Sequence, residues 1–305
     1  MAISTAAGYP QLSGTMVPNS VWSGKLLVKF YEACVLAEIS NTDYEGEIKK
    51  MGDKVIIRTT PSITIRDYVK GQDLQDETPD PENTELEIDR AKYFSFIVDD
   101  IDKFQSDIDF VEDWATDASE QMKISTDTTV LQNIYADADA SNEGATAGRI
   151  SGDINLGTTA SPYQVTKTNV LEWIVDMGTV LDEANVPEEN RWLVLPASLC
   201  GLIKKSDLKD ASLTGDGVSV VRNGRLGMID RFTIYKSNLL ARETTGNKPY
   251  HVLAGQRKAL SFASQIVKTR MIESEHTFGS KVQGLNVYGF DVLKPDALVH
   301  SVVYK

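Results

Sequence analysis

The chain has 305 residues, 31 Lys plus Arg against 44 Asp plus Glu, 41% hydrophobic residues, three His and two Cys. A chain this long buries about three quarters of the surface that its unfolded form exposes, so it needs no disulfide or metal to fold, and a small stapled scaffold is excluded. A formal charge of −13 argues against a nucleic-acid reader that grips phosphates through a broad basic face, and length alone gives a weak prior near two domains.

Met1 to Pro18 holds small and polar residues, and the first basic residue is Lys25, so no secretory signal is expected. No stretch approaches the roughly 18 to 20 apolar residues of a membrane span. Ser23 to Ser40 reads as an early helix. Cys34 and Cys200 both sit among apolar neighbours and are expected to be buried, reduced thiols of a reducing compartment.

Residues 54–69 (KVIIRTTPSITIRDYV) alternate at Ile63, Thr64, Ile65 and Arg66, and residues 84–99 (TELEIDRAKYFSFIVD) alternate at Leu86 to Asp89 and at Phe94 to Phe96. Between them lies the polar KGQDLQDETPDPEN. The pattern predicts one long two-stranded hairpin. At about 3.3 Å per residue its strands would reach roughly 50 Å, comparable to the diameter of the whole globule. A hairpin of that length cannot be covered by its own domain and is marginal alone in water. It calls for a surface elsewhere, most simply a neighbouring copy of the chain.

Capping residues Ser106 and Asp107, acids at Asp109, Glu112 and Asp113, and apolar residues from Val111 to Ile134 predict a strut helix over 107–136, some 45 Å long at about 1.5 Å per residue. Residues 137–163 are rich in Gly, Ala, Ser, Thr and Asp and read as a surface insertion or linker. An alternating α/β unit follows: a helix through Val170, Ile174, Met177 and Leu181, a buried strand at 192–195, a helix after Pro196, and strands at 231–235 and 250–253. From Gln265 the pattern is β again, with two runs in 284–304 broken at Lys294 and Pro295.

Residues 71–120 contain 17 carboxylates against Arg90, Lys92 and Lys103, a local charge of −14 that leaves the other 255 residues at +1. Such a run is either a solvated face or a charge-steered assembly surface. The residues that carry chemistry are sparse. His251, His276 and His300 fall in separate segments without metal-ligand spacing. Ser198 has no nucleophile elbow, and there is no dinucleotide or phosphate loop. Asp137, Asp139 and Ser141 resemble the start of a calcium loop, which then fails at Asn142 and Gly148, where Gly and Glu are required. No catalytic, cofactor-binding or metal site is expected, and no enzyme.

The order of elements, with the phrases SVWSGKLLVKFYEACVLAEISNTDYEGEI, GDKVIIRTTPSITIRDY and KYFSFIVDDIDKFQSDID, resembles the major capsid protein of tailed bacteriophages. The resemblance implies an α+β fold with an N-arm and early helix (1–51), an extended β-hairpin E-loop (52–100), a peripheral domain with a long spine helix (101–136), a linker or insertion (137–163), an inserted axial domain (164–262) and closing peripheral strands (263–305). It implies a self-assembling subunit of an icosahedral virion capsid. Pentamers and hexamers would enclose double-stranded DNA without sequence-specific binding, with a separate scaffolding protein and a portal as partners and no membrane. Assembly would take place in the host bacterial cytoplasm. Some members cross-link an E-loop Lys to an Asn; Lys70 lies near the loop start but no acceptor motif is visible, and cross-linking is not expected. An encapsulin-type cargo shell shares the fold, and a cytosolic α/β enzyme is the alternative from another class.

Overall fold

The computed structural model describes residues 31–32, 34–44, 54–58, 61, 63–80, 83–101, 110–206, 227–274 and 277–305. In chain order the elements are α1 (Leu36–Ile39), β1 (Lys54–Arg58), β2 (Asn83–Glu87), β3 (Arg90–Asp99), α2 (Phe110–Leu131), β4 (Tyr163–Gln164), α3 (Val170–Glu183), β5 (Arg191–Leu195), α4 (Ala197–Ile203), β6 (Met228–Ile229), β7 (Phe232–Lys236), β8 (Tyr250–Gln256), β9 (Leu260–Glu273), β10 (Gly279–Val292) and β11 (Leu298–Tyr304). They form a two-stranded ladder β1-β2, a three-stranded sheet β3-β10-β9 and a six-stranded sheet β4-β11-β8-β5-β7-β6.

The six-stranded sheet holds the main core. Its central strands are near-continuous apolar runs, as expected where both faces are covered, and all five residues of β5 are buried. The apolar stripe of α3, through Val170, Trp173, Ile174, Met177 and Leu181, is fully buried. The Trp173 indole donates to Ser301 Oγ at 3.0 Å, and Ser301 donates in turn to the Leu156 carbonyl at 2.7 Å. The helix stops where Asn185 turns left-handed (φ 56°) two residues before Pro187.

The three-stranded sheet is antiparallel throughout, and α2 lies on one of its faces. Trp114 meets Phe96 edge-on at 5.9 Å, and the Lys92 ammonium donates to the carbonyl and hydroxyl of Ser125, both at 2.6 Å. Burial, and then the neighbouring Arg90, lower the Lys92 pKa. Late in α2, the buried Asp127 accepts from the Val35 and Leu36 amides at 2.6 and 3.2 Å, satisfying free N–H groups at the start of α1. Burial raises the Asp127 pKa, and these two bonds oppose the rise.

Four expectations change. The described part of the early helix is the short α1; residues 1–30 lie outside the described chain. The long hairpin is laddered only at its base, β1 on β2, and its second strand is two elements. The chain leaves the ladder at Ile88 and Asp89 and re-enters as β3 beside β10. Further out, the described residues 63–80 form no ladder, and Pro79 on the returning side could not donate to one. The strut helix ends at Leu131, followed by a 3-10 turn at Ile134–Asp137. The closing strands divide between sheets: β9 and β10 pair with β3, whereas β11 enters the six-stranded sheet between β4 and β8.

Residues 137–163 are packed rather than a bare linker. Gly144 bridges Gly157 and Ala147 bridges Ile154, with Ala147 and Leu156 fully buried. Gly157 has φ +79°, and a Cβ there would meet the Val302 carbonyl at 2.3 Å, so glycine is required. Asp139 caps the Ser141 amide at 2.8 Å. Asn142, fully buried, donates to the carbonyls of Asp296 and Leu298 at 2.7 and 3.1 Å. Composition reads polar here because the polar groups tie backbone to backbone. Asn142→Ala orphans both carbonyls and is expected to destabilise the chain by about 1–3 kcal/mol for each one left without water, read as a lowered midpoint in urea with an unchanged slope.

Candidate assembly surface

Among the described residues no helix is long and apolar enough to cross a membrane, and no three His, Cys, Asp or Glu side chains are placed to hold a metal. Ser198 lies on α4. Asp137 and Asp139 diverge: Asp139 serves the cap just described, while burial raises the Asp137 pKa and Arg90 opposes it. His251 and His300, far apart in sequence, are brought within 3.0 Å of each other; only the pairing of β8 with β11 makes them neighbours, and no local motif announces it. His276 lies outside the described residues.

The cysteines differ from one another. Cys200 is buried as expected, but Cys34 is exposed, at the rim of a cleft of about 450 Å³ between α2, residues 34–42 and β9–β10. Partial burial, then Asp127 and Glu120, push the Cys34 thiol up to about 11.

The most unusual surface is the arm. Its base is a small second core in which Leu86 and Ala263 are fully buried against Tyr44, Val55, Ile57 and Ile88. Gly289 lets the chain cross close there, since a Cβ would meet the Glu87 carbonyl oxygen at 2.0 Å. Beyond the base, residues 63–80 are exposed throughout. Their two sides are held by side chains: Glu77 accepts from the Thr64 amide at 2.7 Å, and Arg66 donates to Gln75 at 2.6 Å. The tip turns at Gly71 (φ +88°), where the Gln72 amide donates to the Val69 carbonyl at 3.0 Å. Ile65 is 91% exposed and Leu74 79%, with Ile63, Tyr68 and Val69 each above 60%. Asp67, Asp73, Asp76, Glu77 and Asp80 outnumber Arg66 and Lys70. The surface is acidic and apolar at once.

A second surface complements it. On the face of the small sheet opposite α2, Tyr93, Leu285 and Lys268 form one cross-strand row, Ser95, Gln283 and Arg270 the next, and Ile97, Lys281 and Ile272 the third. The middle row is bonded through, Arg270 to Gln283 at 2.9 Å and Gln283 to Ser95 at 3.3 Å. These nine side chains include three cations and no carboxylate. Tyr93 is 79% exposed. Among the described residues neither surface encloses a reactive group.

A protein whose distinctive surfaces are an outreaching arm and an open sheet face is a structural, contact-forming protein. Residues 83–301 match the family model described as phage capsid protein, and the chain belongs to that family. The chain is thus a structural subunit of a phage capsid, a major capsid protein located in the virion shell. Its fold is similar to a solved structure from Mycobacterium phage Che8, with 25% identity over 93% of this chain and 96% of that one and a TM-score of 0.77. It is also similar to structures from Gordonia phage Cozz, with 15% identity over 100% and 98% and a TM-score of 0.66, and from the capsid of a native GTA particle, with 12% identity over 100% of each chain and a TM-score of 0.69. No curated protein matches the sequence significantly.

Gly289→Ala is expected to lift the β2–β3 junction off β10, so that tryptic cleavage after Arg58 at the arm base speeds up several-fold while cleavage after the exposed Arg66 and Lys70 is unchanged. A thiol at about 11 is only about one part in a thousand thiolate at pH 8. Alkylation of Cys34 by iodoacetamide in the native protein should therefore be slow at pH 8 and rise about tenfold per pH unit up to pH 10.

Proposed function

We propose that the subunit assembles by laying its arm across the sheet face of a neighbouring copy, forming hexamers and pentamers that close into an icosahedral shell around double-stranded DNA. The observation that carries this reading is the exposed apolar row on residues 63–80, which the described residues leave uncovered. Burying it is worth about 25 cal/mol per Å², and the acidic arm on a face carrying Lys268, Arg270 and Lys281 adds register more than affinity. Many such weak contacts combine cooperatively in a closed shell.

In this reading residues 52–100 act as the E-loop, 106–136 as the spine, 164–262 as the axial domain and 263–305 as closing strands of the peripheral domain, with β11 shared between the two. The near-neutral charge of the chain outside 71–120 suits a wall that confines DNA without gripping it. A separate scaffolding protein and a portal complete assembly in the host cytoplasm, and the subunit carries out no catalysis. The family match favours a genome shell over a cargo compartment.

Negative-stain electron microscopy of the purified chain, alone and with the scaffold candidate encoded beside it, tests the proposal. Rings or closed shells are expected; compact monomers or dimers under every condition would overturn it. The double substitution Ile65→Asp, Leu74→Asp should abolish assembly while leaving the thermal midpoint of the unassembled subunit within about 1 °C, because exposed positions far from the core change stability little.

A further inference from the structure

Four titratable side chains, none of them used by the assembly surfaces, form a continuous hydrogen-bonded chain through the six-stranded sheet. His251 on β8 and His300 on β11 lie on one face of the antiparallel pair, as diagonal neighbours: His251 stands opposite Val302, two residues beyond His300. Glu243 Oε1 lies 3.3 Å from His251 Nε2, His251 Nδ1 lies 3.0 Å from His300 Nε2, and His300 Nδ1 lies 2.8 Å from Glu143 Oε2. The ring planes differ by only 8°, with centroids 5.2 Å apart. That separation is the N···N distance plus the two ring radii, so the rings meet edge to edge and the central bond lies along the lone pair. The Tyr135 ring covers both, at 4.4 and 5.2 Å. The imidazoles are only 4% and 8% exposed, but both terminal carboxylates are about 40% exposed, so protons can enter from either end.

The chain has three links, and each needs one hydrogen. Two neutral imidazoles carry two N–H groups and ionised carboxylates carry none, so the neutral pair leaves one link with lone pairs facing each other. Two imidazoliums carry four, which places two N–H groups and two like charges against each other at the central link. One extra proton is the number that fills all three. We propose that Glu243, His251, His300 and Glu143 form a proton-holding clamp, complete only when it binds one proton beyond those of two neutral rings, which ties the 3-10 turn after α2 and the 137–163 segment to β8 and β11.

Burial, followed by the adjoining His251, lowers the His300 pKa against the pull of Glu143, so His300 is the neutral ring that accepts at Nε2 and donates at Nδ1. The link that two neutral rings leave unfilled is then the one from His251 Nε2 to Glu243, the longest of the three. Other charged groups nearby face elsewhere: Asp137, on the turn that carries Tyr135, interacts with Arg90 and Asp291, and Arg242 stacks on Tyr250.

The unfolded chain binds two protons on these histidines well below about pH 6.5 and none well above it, whereas the filled clamp binds one. Stability therefore rises with pH on the acid side, where the unfolded state binds more protons, and falls on the alkaline side, where the folded state does. Glu243→Gln separates this from ordinary titration. The Gln amide can donate to His251 Nε2, so the three links fill with two neutral rings and the extra proton is no longer needed.

Thermal unfolding of the wild-type chain and the variant from pH 5 to 9 should show a wild-type maximum and an alkaline-side fall that Glu243→Gln abolishes; an equal fall in both would overturn the clamp. Solid-state nitrogen NMR of histidine-labelled wild-type protein reads the rings directly and works for free or assembled subunits, with His276→Asn removing the third signal. One doubly protonated ring beside one neutral ring protonated at Nδ1 is expected near pH 7. Two neutral or two cationic rings at every pH would overturn the proposal even if the variant does not fold.

Discussion

The placement of β11 is the constraint on which the rest of the molecule depends. The strand leaves the small sheet through the turn after β10, yet it pairs with β8 and β4 inside the large one, so a few residues connect the two sheets covalently. Its neighbours hold it in the large sheet: Asn142 bonds the carbonyl of Leu298, Trp173 bonds Ser301 and His251 on β8 bonds His300. Removing a buried partner leaves a buried polar group unsatisfied, and such losses are large compared with the few kcal/mol by which a domain is stable. So short a connection, with β11 fixed in the large sheet, is more rigid than a long flexible linker would be.

That rigidity gives the arm its meaning. An arm of 18 exposed residues with five large apolar side chains on it would be an aggregation hazard if it were laddered, because an open strand edge templates further strands. Pro79 and the acids keep residues 63–80 from presenting a regular edge while leaving the apolar groups available. In the proposed contact such a surface would reject nonspecific strand pairing yet still gain from a shaped, cationic partner.

Much of this was legible in the sequence, in proportion to how local the cause was. Strands β5, β7 and β8 and helix α3 announce themselves through unbroken apolar runs or a 3.6-residue stripe. The divided second strand was not legible, because Leu86 to Asp89 keep alternating while the chain changes partner, and the cause is a close crossing at Gly289, some 200 residues away. The packing of 137–163 was hidden for a similar reason: Asn142 and Gly157 act on backbone of the β11 region, and composition reports only polarity and glycine. The histidines looked isolated because their relation exists only across the β8–β11 register. Cys34 was misjudged because apolar sequence neighbours do not say which side chains face a cleft.

Arm and sheet face are different patches of the same surface, so their contact in the proposed shell is heterologous, and a heterologous contact forms a ring only if its rotation closes. Affinity and closure then have separate sources. The tip residues, Ile65, Tyr68 and Leu74, supply buried area and can change chemically without changing an angle. The angle is set at the base, where Leu86 and Ala263 pack and Gly289 permits the crossing, by a core of few side chains among the described residues. A small core deforms at little cost, because few contacts oppose the movement. If the subunits of the proposed shell occupy both five- and six-fold positions, such a joint would serve them: stiff domains to carry load, a sticky tip to hold the neighbour, and a base soft enough to accommodate two angles with the same contacts.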